Sequence, residues 1–399
     1  SPPRPAGTRR RWPSKKGESV FEYQKNGRFF AQIPEGLEAW ALQELTELGA
    51  AEVTPAFRGA YFSATPAVLY RVNYESRLLT RVLAPLKTFT CPDRTALYRV
   101  AGALPWSRFL GPKNTFAVFA QVSDNPKLNH AGFAALVVKD AIADHFTQAL
   151  GIRPNVDTLR PDVWINLNLR GNRAILHFDT SGSSLHRRGY RTESVPAPMQ
   201  ETVAAAVIRI SGRDGDCPLY DPMCGSWPLL SEARMRYCRL PAGMLRKRFG
   251  FERMPDFDPQ LWQTVRETAQ AAVRPLPEGL IGGSDISGQA VSATRANLAN
   301  LPYRQRVRLK TAAFETLRGL ENQTIVCNPP YGIRLGRPQE MAPLYRALGD
   351  FLKQRCKGSR AYIFVGDREL LKYVGLKPSL RQPIKSGGLD GRLVKYELY

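Results

Sequence analysis

Thr324-Ile325-Val326-Cys327-Asn328-Pro329-Pro330-Tyr331 is the stretch whose reading decides the fold of this chain and the chemistry it carries. The first four residues read as the end of a buried strand. Two consecutive prolines then fix φ and remove two N–H donors. Strand pairing must stop there, and the carbonyls of Asn328 and Pro329 are left to face a ligand. The side-chain oxygen of Asn328 and the carbonyl of Pro329 suit the two N–H groups of a planar amine, with Tyr331 stacked on the ring that bears it. Asn328, Pro329, Pro330 and Tyr331 are therefore the candidate catalytic loop, a constellation for alkylating an exocyclic nitrogen. The competing reading is a tight proline turn after a strand.

Two stretches upstream complete a crevice around it. Leu219-Tyr220-Asp221-Pro222-Met223-Cys224-Gly225-Ser226 is a short strand leading to an acid and a small-residue turn, with a helix after it. That is how a doubly wound sheet opens a cofactor site. Leu280 to Ile286 is an apolar run ending in a carboxylate, Asp285, at a strand's C-terminal edge, where it can hold both hydroxyls of a ribose. A plain βαβ unit puts that acid about 20 residues after the first turn. Here Arg234 to Arg253 intervenes, with seven basic residues against one acid and with Tyr237, Phe249 and Phe251 among them. Mixed cations and aromatics suit looped or single-stranded RNA, which makes Arg246, Lys247 and Arg248 candidate contacts. An ordinary basic helix-loop insertion is the alternative.

Charge names the partner class. Lys and Arg number 57 against 35 Asp and Glu, a net +22 over 399 residues. Solubility asks for far less, so a polyanion is expected, and the excess of arginine favours phosphate forks and base stacking. The basic residues are spread over several segments and are not gathered on one amphipathic helix, which argues for nucleic acid over a membrane surface. No run is long enough to span a bilayer and no apolar signal region opens the chain, so a cytoplasmic location is expected. The six cysteines show no C-x-x-C pairing and no His cluster, which argues against a zinc site and a disulfide framework.

Residues 1–18 form a basic arm expected to be disordered. From Phe29 the pattern turns globular. Phe29 to Ile33 reads as a strand, and Leu37, Trp40, Ala41, Leu45 and Leu48 recur at helical spacing before Gly49. Arg58 to Ser63 returns as a strand. A long helix is predicted near Phe133 to Leu150, and then a hairpin: Val163 to Leu169 alternates, Gly171-Asn172 turns, and Ala174 to Phe178 runs back. Leu185-His186-Arg187-Arg188-Gly189-Tyr190-Arg191 follows, a basic linker suited to gripping RNA backbone, with His186, Arg187, Arg188, Tyr190 and Arg191 as candidate contacts and a solvated turn as the alternative. Further on, the pattern predicts helices over Glu201 to Ile210 and Leu344 to Leu352, and strands over Ala361 to Val365 and Leu393 to Leu398.

The Asn-Pro-Pro-Tyr loop resembles that of the amino-methyltransferases that use S-adenosylmethionine, a group acting on adenine N6 in DNA, guanine N2 in RNA or glutamine amides. The N-terminal pieces narrow the choice. Pro34-Glu35-Gly36-Leu37-Glu38, Val138-Lys139-Asp140-Ala141-Ile142, Arg153-Pro154-Asn155-Val156-Asp157 and the 185–191 linker resemble, in that order, a ferredoxin-like domain and THUMP domain. Together they look like the N-terminal half of the bacterial large-subunit ribosomal RNA guanine-N2 methyltransferases, over residues 28 to 399.

The resemblance implies a ferredoxin-like domain over 19–85, a THUMP domain over 86–182 and a Rossmann-like α/β methyltransferase domain over 183–399. It implies S-adenosylmethionine as cofactor, met by Asp221, Pro222, Cys224, Gly225 and Ser226 in the first loop, by Asp285 and Ile286 in the second unit, and by Phe314 and Asn328. It implies ribosomal RNA as partner and no metal. Three departures bear on it: Trp227 stands where a glycine is usual, Thr311-Ala312-Ala313 lacks the Asp that often contacts adenine, and Ile333 replaces a frequent Glu. They keep open an RNA-binding or assembly protein whose methyltransferase domain is silent. A transfer RNA guanine-N2 or DNA adenine-N6 methylase also stays open, although the THUMP resemblance argues against DNA.

Overall fold

The computed structural model describes residues 21–399 except 192–198, 213–214, 216, 227, 331–337 and 387–388. The basic arm, Trp227, Tyr331, Ile333 and the tip of the last hairpin therefore lie outside the described residues.

Strands β1 (Arg28–Gln32), β2 (Ala51–Ala56), β3 (Gly59–Ser63), β4 (Arg81–Thr90), β5 (Phe116–Ser123), β6 (Val163–Arg170) and β7 (Arg173–Asp179) form one seven-stranded sheet in the order β2-β3-β1-β4-β7-β6-β5. Helices Glu38–Glu47 and Pro66–Glu75 cross over within its first half, the split βαβ arrangement of a ferredoxin-like fold. The expected strand at Phe29 and the helix after Leu37 are both present, as is the hairpin around Gly171, where φ is +55°. β4 runs through residue 85, so the ferredoxin-like and THUMP portions share a sheet: β4 pairs with β1 on one side and β7 on the other. The long helix Ala131–Leu150 covers this second half and ends on Gly151 in the left-handed region, where a glycine carries no Cβ penalty.

The second sheet contains β8 (Leu219–Asp221), β9 (Ile281–Asp285), β10 (Val307–Thr311), β11 (Thr324–Cys327), β12 (Arg360–Val365), β13 (Leu380–Ser386) and β14 (Leu389–Glu397). Its order is β10-β9-β8-β11-β12-β14-β13, and β14 alone runs against its neighbours. Ile325, Val326 and Cys327 are fully buried between β8 and β12, as an apolar run in a parallel sheet must be. The helix expected over Leu344 to Leu352 is longer, Pro338–Arg355, and accommodates Pro343.

The two sheets are joined by specific contacts. Tyr23 Oη donates to Asp256 at 2.7 Å, and Gln24 Nε2 reaches the same carboxylate. Tyr70 and Tyr74 of the first sheet's helix pack with Phe249, Phe251 and Trp262 of the second, at centroid distances such as 4.5 Å for Tyr70–Phe251. Here the structure departs from the expectation that the aromatics of Arg234 to Arg253 serve looped RNA. Phe249 and Phe251 are buried in this cluster and fasten the two modules together, so they are not available to stack on bases.

Candidate functional site

β8 and β11 are neighbours where the sheet reverses its winding, and ligands of such sheets bind outside the C-terminal strand ends at that point. Ile325 pairs with Tyr220, so Val326 is level with Asp221 and Asn328 stands two residues beyond, about 7 Å along the strand direction. Pairing of β11 with β12 ends at Cys327 and Ile363, immediately before the prolines. Asn328 is half-buried, Pro329 buried and Pro330 exposed. The Oδ1 of Asn328 is buried and accepts no hydrogen bond from any described residue. A buried acceptor left unmade costs free energy, and at a strand end over a crevice it marks a place for a ligand's donor.

The first loop is fixed from both sides. Asp221 Oδ1 accepts from the Met223 N–H at 3.0 Å, while its Oδ2 is buried and unpaired. Burial pushes the Asp221 carboxyl up to about 8, against the Met223 hydrogen bond, with the charge of Asp285 adding to the rise. Cys224 is buried, and its carbonyl accepts from Thr294 Oγ1 at 3.2 Å. The Gly225 N–H donates to Asp285 Oδ2 at 3.0 Å, and a Cβ built on Gly225 would lie 2.7 Å from that oxygen. A side chain there would have to push the Asp285 carboxylate aside. Pro222 and Ser226 belong to the same turn.

Asp285 also takes the Ser287 N–H on Oδ1 at 2.9 Å. Each of its oxygens therefore keeps acceptor capacity for one further donor, the number a vicinal diol supplies. Ile286 beside it is 76% exposed, an apolar side chain with no core partner. Phe314 is buried against Phe351, rings 5.4 Å apart. Unpaired Asn328 Oδ1, the glycine cradle and the two-handed Asp285 carboxylate fit a nucleoside cofactor with an amino-acid tail. Among the described residues no group of His, Cys, Asp and Glu could hold a metal, and no helix is long and apolar enough to cross a membrane.

The candidate RNA contacts of the 185–191 linker and of the 234–253 stretch split into exposed and internal members. Arg187, Lys247 and Arg248 are exposed, Arg248 pairing with Asp162 at 3.0 Å. Arg188 is 1% exposed; its Nε meets Glu232 Oε1 at 3.2 Å and its Nη2 the carbonyl of Arg77 at 2.6 Å. Tyr190, fully buried, donates to the same Glu232 oxygen at 3.1 Å. Burial takes Arg188 and Tyr190 off any outer surface. Arg191 pairs with Glu201 at 3.2 Å, and Arg246 donates to the carbonyls of Ser181, Ser184 and Arg187. His186 contacts Ser184 Oγ through Nδ1 at 2.6 Å, and burial, with the charges of Arg187 and Arg188, pushes it down to about 4, so it is neutral at physiological pH.

Glu232 is what sequence reasoning missed. It stands on the helix Pro228–Tyr237 that follows the turn after Asp221, and its partners Arg188 and Arg77 lie 44 and 155 residues earlier. No local pattern could have signalled it.

Three family models match the chain: the RMKL-like methyltransferase domain over 188–395, the THUMP domain over 93–179 and the RlmL ferredoxin-like domain over 28–83. Over 372 residues it is 38% identical to the protein named "Putative RNA methyltransferase slr0064" of Synechocystis sp., covering 93% of this chain and 97% of that one. It is 36% identical to ribosomal RNA large subunit methyltransferase K/L of Syntrophotalea carbinolica, and there spans only 53% of the relative's length. A crystal structure of SMU.472, described as "a putative methyltransferase complexed with SAH", superposes with a TM-score of 0.81 over 93% of this chain and 98% of that chain, at 26% identity.

Proposed function

The chain belongs to the RMKL-like methyltransferase family, whose cofactor is S-adenosylmethionine, and on that premise we propose that it methylates the N2 amino group of a guanine in large-subunit ribosomal RNA. The observation that carries this reading is the buried, unpaired Oδ1 of Asn328 at the β8–β11 switch point. The names of the K/L relatives and the THUMP match support the choice of ribosomal RNA.

In this reading the backbone from Pro222 to Ser226 holds the cofactor's amino-acid portion, with Asp221 beneath it. Asp285 takes the ribose hydroxyls and Ile286 lies against the adenine. The bound cofactor supplies a methyl group activated by a sulfonium. Asn328 Oδ1 and the Pro329 carbonyl accept the two N–H bonds of the guanine amine, and Tyr331 stacks on the base, which is flipped or already unpaired. The lone pair of that amine is delocalised into the ring. Two acceptors on its hydrogens favour a pyramidal nitrogen and turn the lone pair outward, an interaction stronger in the transition state than in the ground state. The nitrogen gains a methyl and sheds one proton; being strongly acidic once alkylated, it needs no base beforehand. The prolines hold the acceptors in place with little backbone freedom to lose.

The test is transfer of an isotopically labelled methyl group from the cofactor to a large-subunit ribosomal RNA transcript, followed by nuclease digestion and mass spectrometry. Label in N2-methylguanosine, lost with Asn328→Ala, is the expected result; label in another nucleoside overturns the assignment. A second reading rests on Trp227 and on Ala312-Ala313: RNA binding by a silent domain. Calorimetric titration of the chain and of Trp227→Gly with the cofactor separates the two. Binding by the parent favours catalysis, and binding by the glycine variant alone favours the silent domain.

A further inference from the structure

We propose that the groove between the 3-10 helix Arg368–Tyr373 and the β13–β14 hairpin is an RNA backbone track that leads target RNA into the Asn328 loop. The proposal deepens the RNA methyltransferase reading and rests on it. The groove has a volume of about 730 Å³ and is lined by Arg368, Lys372, Lys377, Arg381 and Arg392 against a single acid, Glu369. Five cations to one carboxylate is a local excess well above that of the chain as a whole. Arg368, Lys372, Lys377 and Arg381 are exposed, and the ion pairs that Arg368 and Lys372 make with Glu369 are long, 3.9 and 3.8 Å. Exposed pairs of that kind hold their partners weakly, so phosphate oxygens can replace the carboxylate.

Placement supplies the second argument. Arg381 pairs with Val394 and Pro383 with Arg392, so one face of the hairpin presents Arg381 and Arg392 together. Arg392 lies opposite Val365 at the end of β12, while Ile363, two residues earlier, lies opposite Cys327. Arg392 therefore lies two strand spacings, about 10 Å, from the line of β11 and two positions beyond its last paired residue, Cys327, on the side where Asn328 follows. That is a step of one or two nucleotides from the loop proposed to hold the base. Apolar side chains such as Leu371, Leu376, Val394 and Tyr396 also line the groove, but four exposed cations distributed along it beside the Asn328 loop suit a phosphate backbone.

Three exposed cations are neutralised together, Lys372→Gln, Lys377→Gln and Arg381→Gln, in the full chain. Affinity for a large-subunit ribosomal RNA transcript is then measured against salt concentration by fluorescence anisotropy. Loss of three phosphate contacts makes the slope of log K against log salt less negative by about 2, at roughly 0.7 per contact for single strands. Cofactor titration and melting temperature stay as in the parent, and KM for RNA rises while the single-turnover rate at saturating RNA holds. Arg368→Gln, a single change on the same 3-10 helix as Lys372, makes the slope less negative by less than 1. An unchanged slope in the triple variant overturns the proposal, whether the groove is empty or serves a protein. So does failure of the parent to bind any RNA at low salt. If the parent binds RNA but methylates no guanine, the functional reading falls, and the slope comparison still decides the groove.

Discussion

Replacing Asn328 by alanine separates a functional side chain from a structural one, because the two roles predict opposite signs of stability change. The Asn328 Oδ1 is buried and accepts no hydrogen bond from a described residue. In the free protein such an oxygen costs about 1–3 kcal/mol. Truncation removes that cost and forfeits the dispersion contacts of a half-buried amide, roughly 1 kcal/mol. The net change runs from zero to about 2 kcal/mol of stabilisation, a melting temperature unchanged or raised by a few degrees for a unit of this size. Catalysis moves the other way. Loss of one hydrogen-bonding partner aimed at the reacting group typically costs 10²–10³ in rate, about 3–4 kcal/mol. The assay is single-turnover transfer to the RNA transcript at saturating cofactor, with scanning fluorimetry on the same preparation. Asn328→Asp, which keeps an acceptor oxygen at the Oδ1 position, retains more of the rate than alanine. A melting point several degrees lower in the alanine variant, with transfer reduced less than tenfold, would refute the reasoning and return Asn328 to an ordinary turn residue.

Glu232→Ala leaves the buried Arg188 guanidinium without its carboxylate; a loss of about 3–5 kcal/mol is expected in urea unfolding, and a change under 1 kcal/mol would show that the network is dispensable. Burial holds His177 at about 4 against 6.5 for the free side chain, so its contribution to stability is complete above pH 6.5 and is lost as the pH falls toward 4. Lowering the pH from 6.5 to 5 should cost about 2 kcal/mol from this group, a slope that His177→Leu flattens. His186, held at about 4 by burial first, adds in the same direction. Asp221 is the reverse case: native Asp221 keeps its proton up to about 8 while the unfolded carboxyl ionises at 3.8, so this group's contribution declines as the pH rises between them. A cofactor bringing positive charge favours the ionised form, so binding at pH 7 should release a proton. The calorimetric enthalpy then depends on the buffer's ionisation enthalpy, and it loses that dependence in Asp221→Asn.

Some of this was written in the sequence because its causes are local. Two prolines end a strand wherever they stand, so β11 stops at Cys327 and Asn328 follows it. Alternation placed the β6–β7 hairpin, and the spacing of apolar residues placed the helix Glu201–Ile210. A small-residue turn after an acid located the loop at Gly225, where a side chain would have to push aside the carboxylate of Asp285, 60 residues on. Where a side chain's fate depends on residues far along the chain, composition misled. Phe249 and Phe251 read as bases' partners and proved to be core, because Tyr70 and Trp262 converge on them. Arg188 read as a surface cation and is internal, because Glu232 faces it across the linker.

The sequence by itself determined the strand-ending proline loop, the crevice motifs and the excess of positive charge, since periodicity, backbone restriction and net charge need no tertiary contact to be expressed. Only the tertiary structure decided which cations face solvent, which acceptor is left unpaired and how the N-terminal module is fastened to the methyltransferase domain. Those outcomes are set by burial and pairing between residues tens to hundreds of positions apart, and no local pattern encodes them.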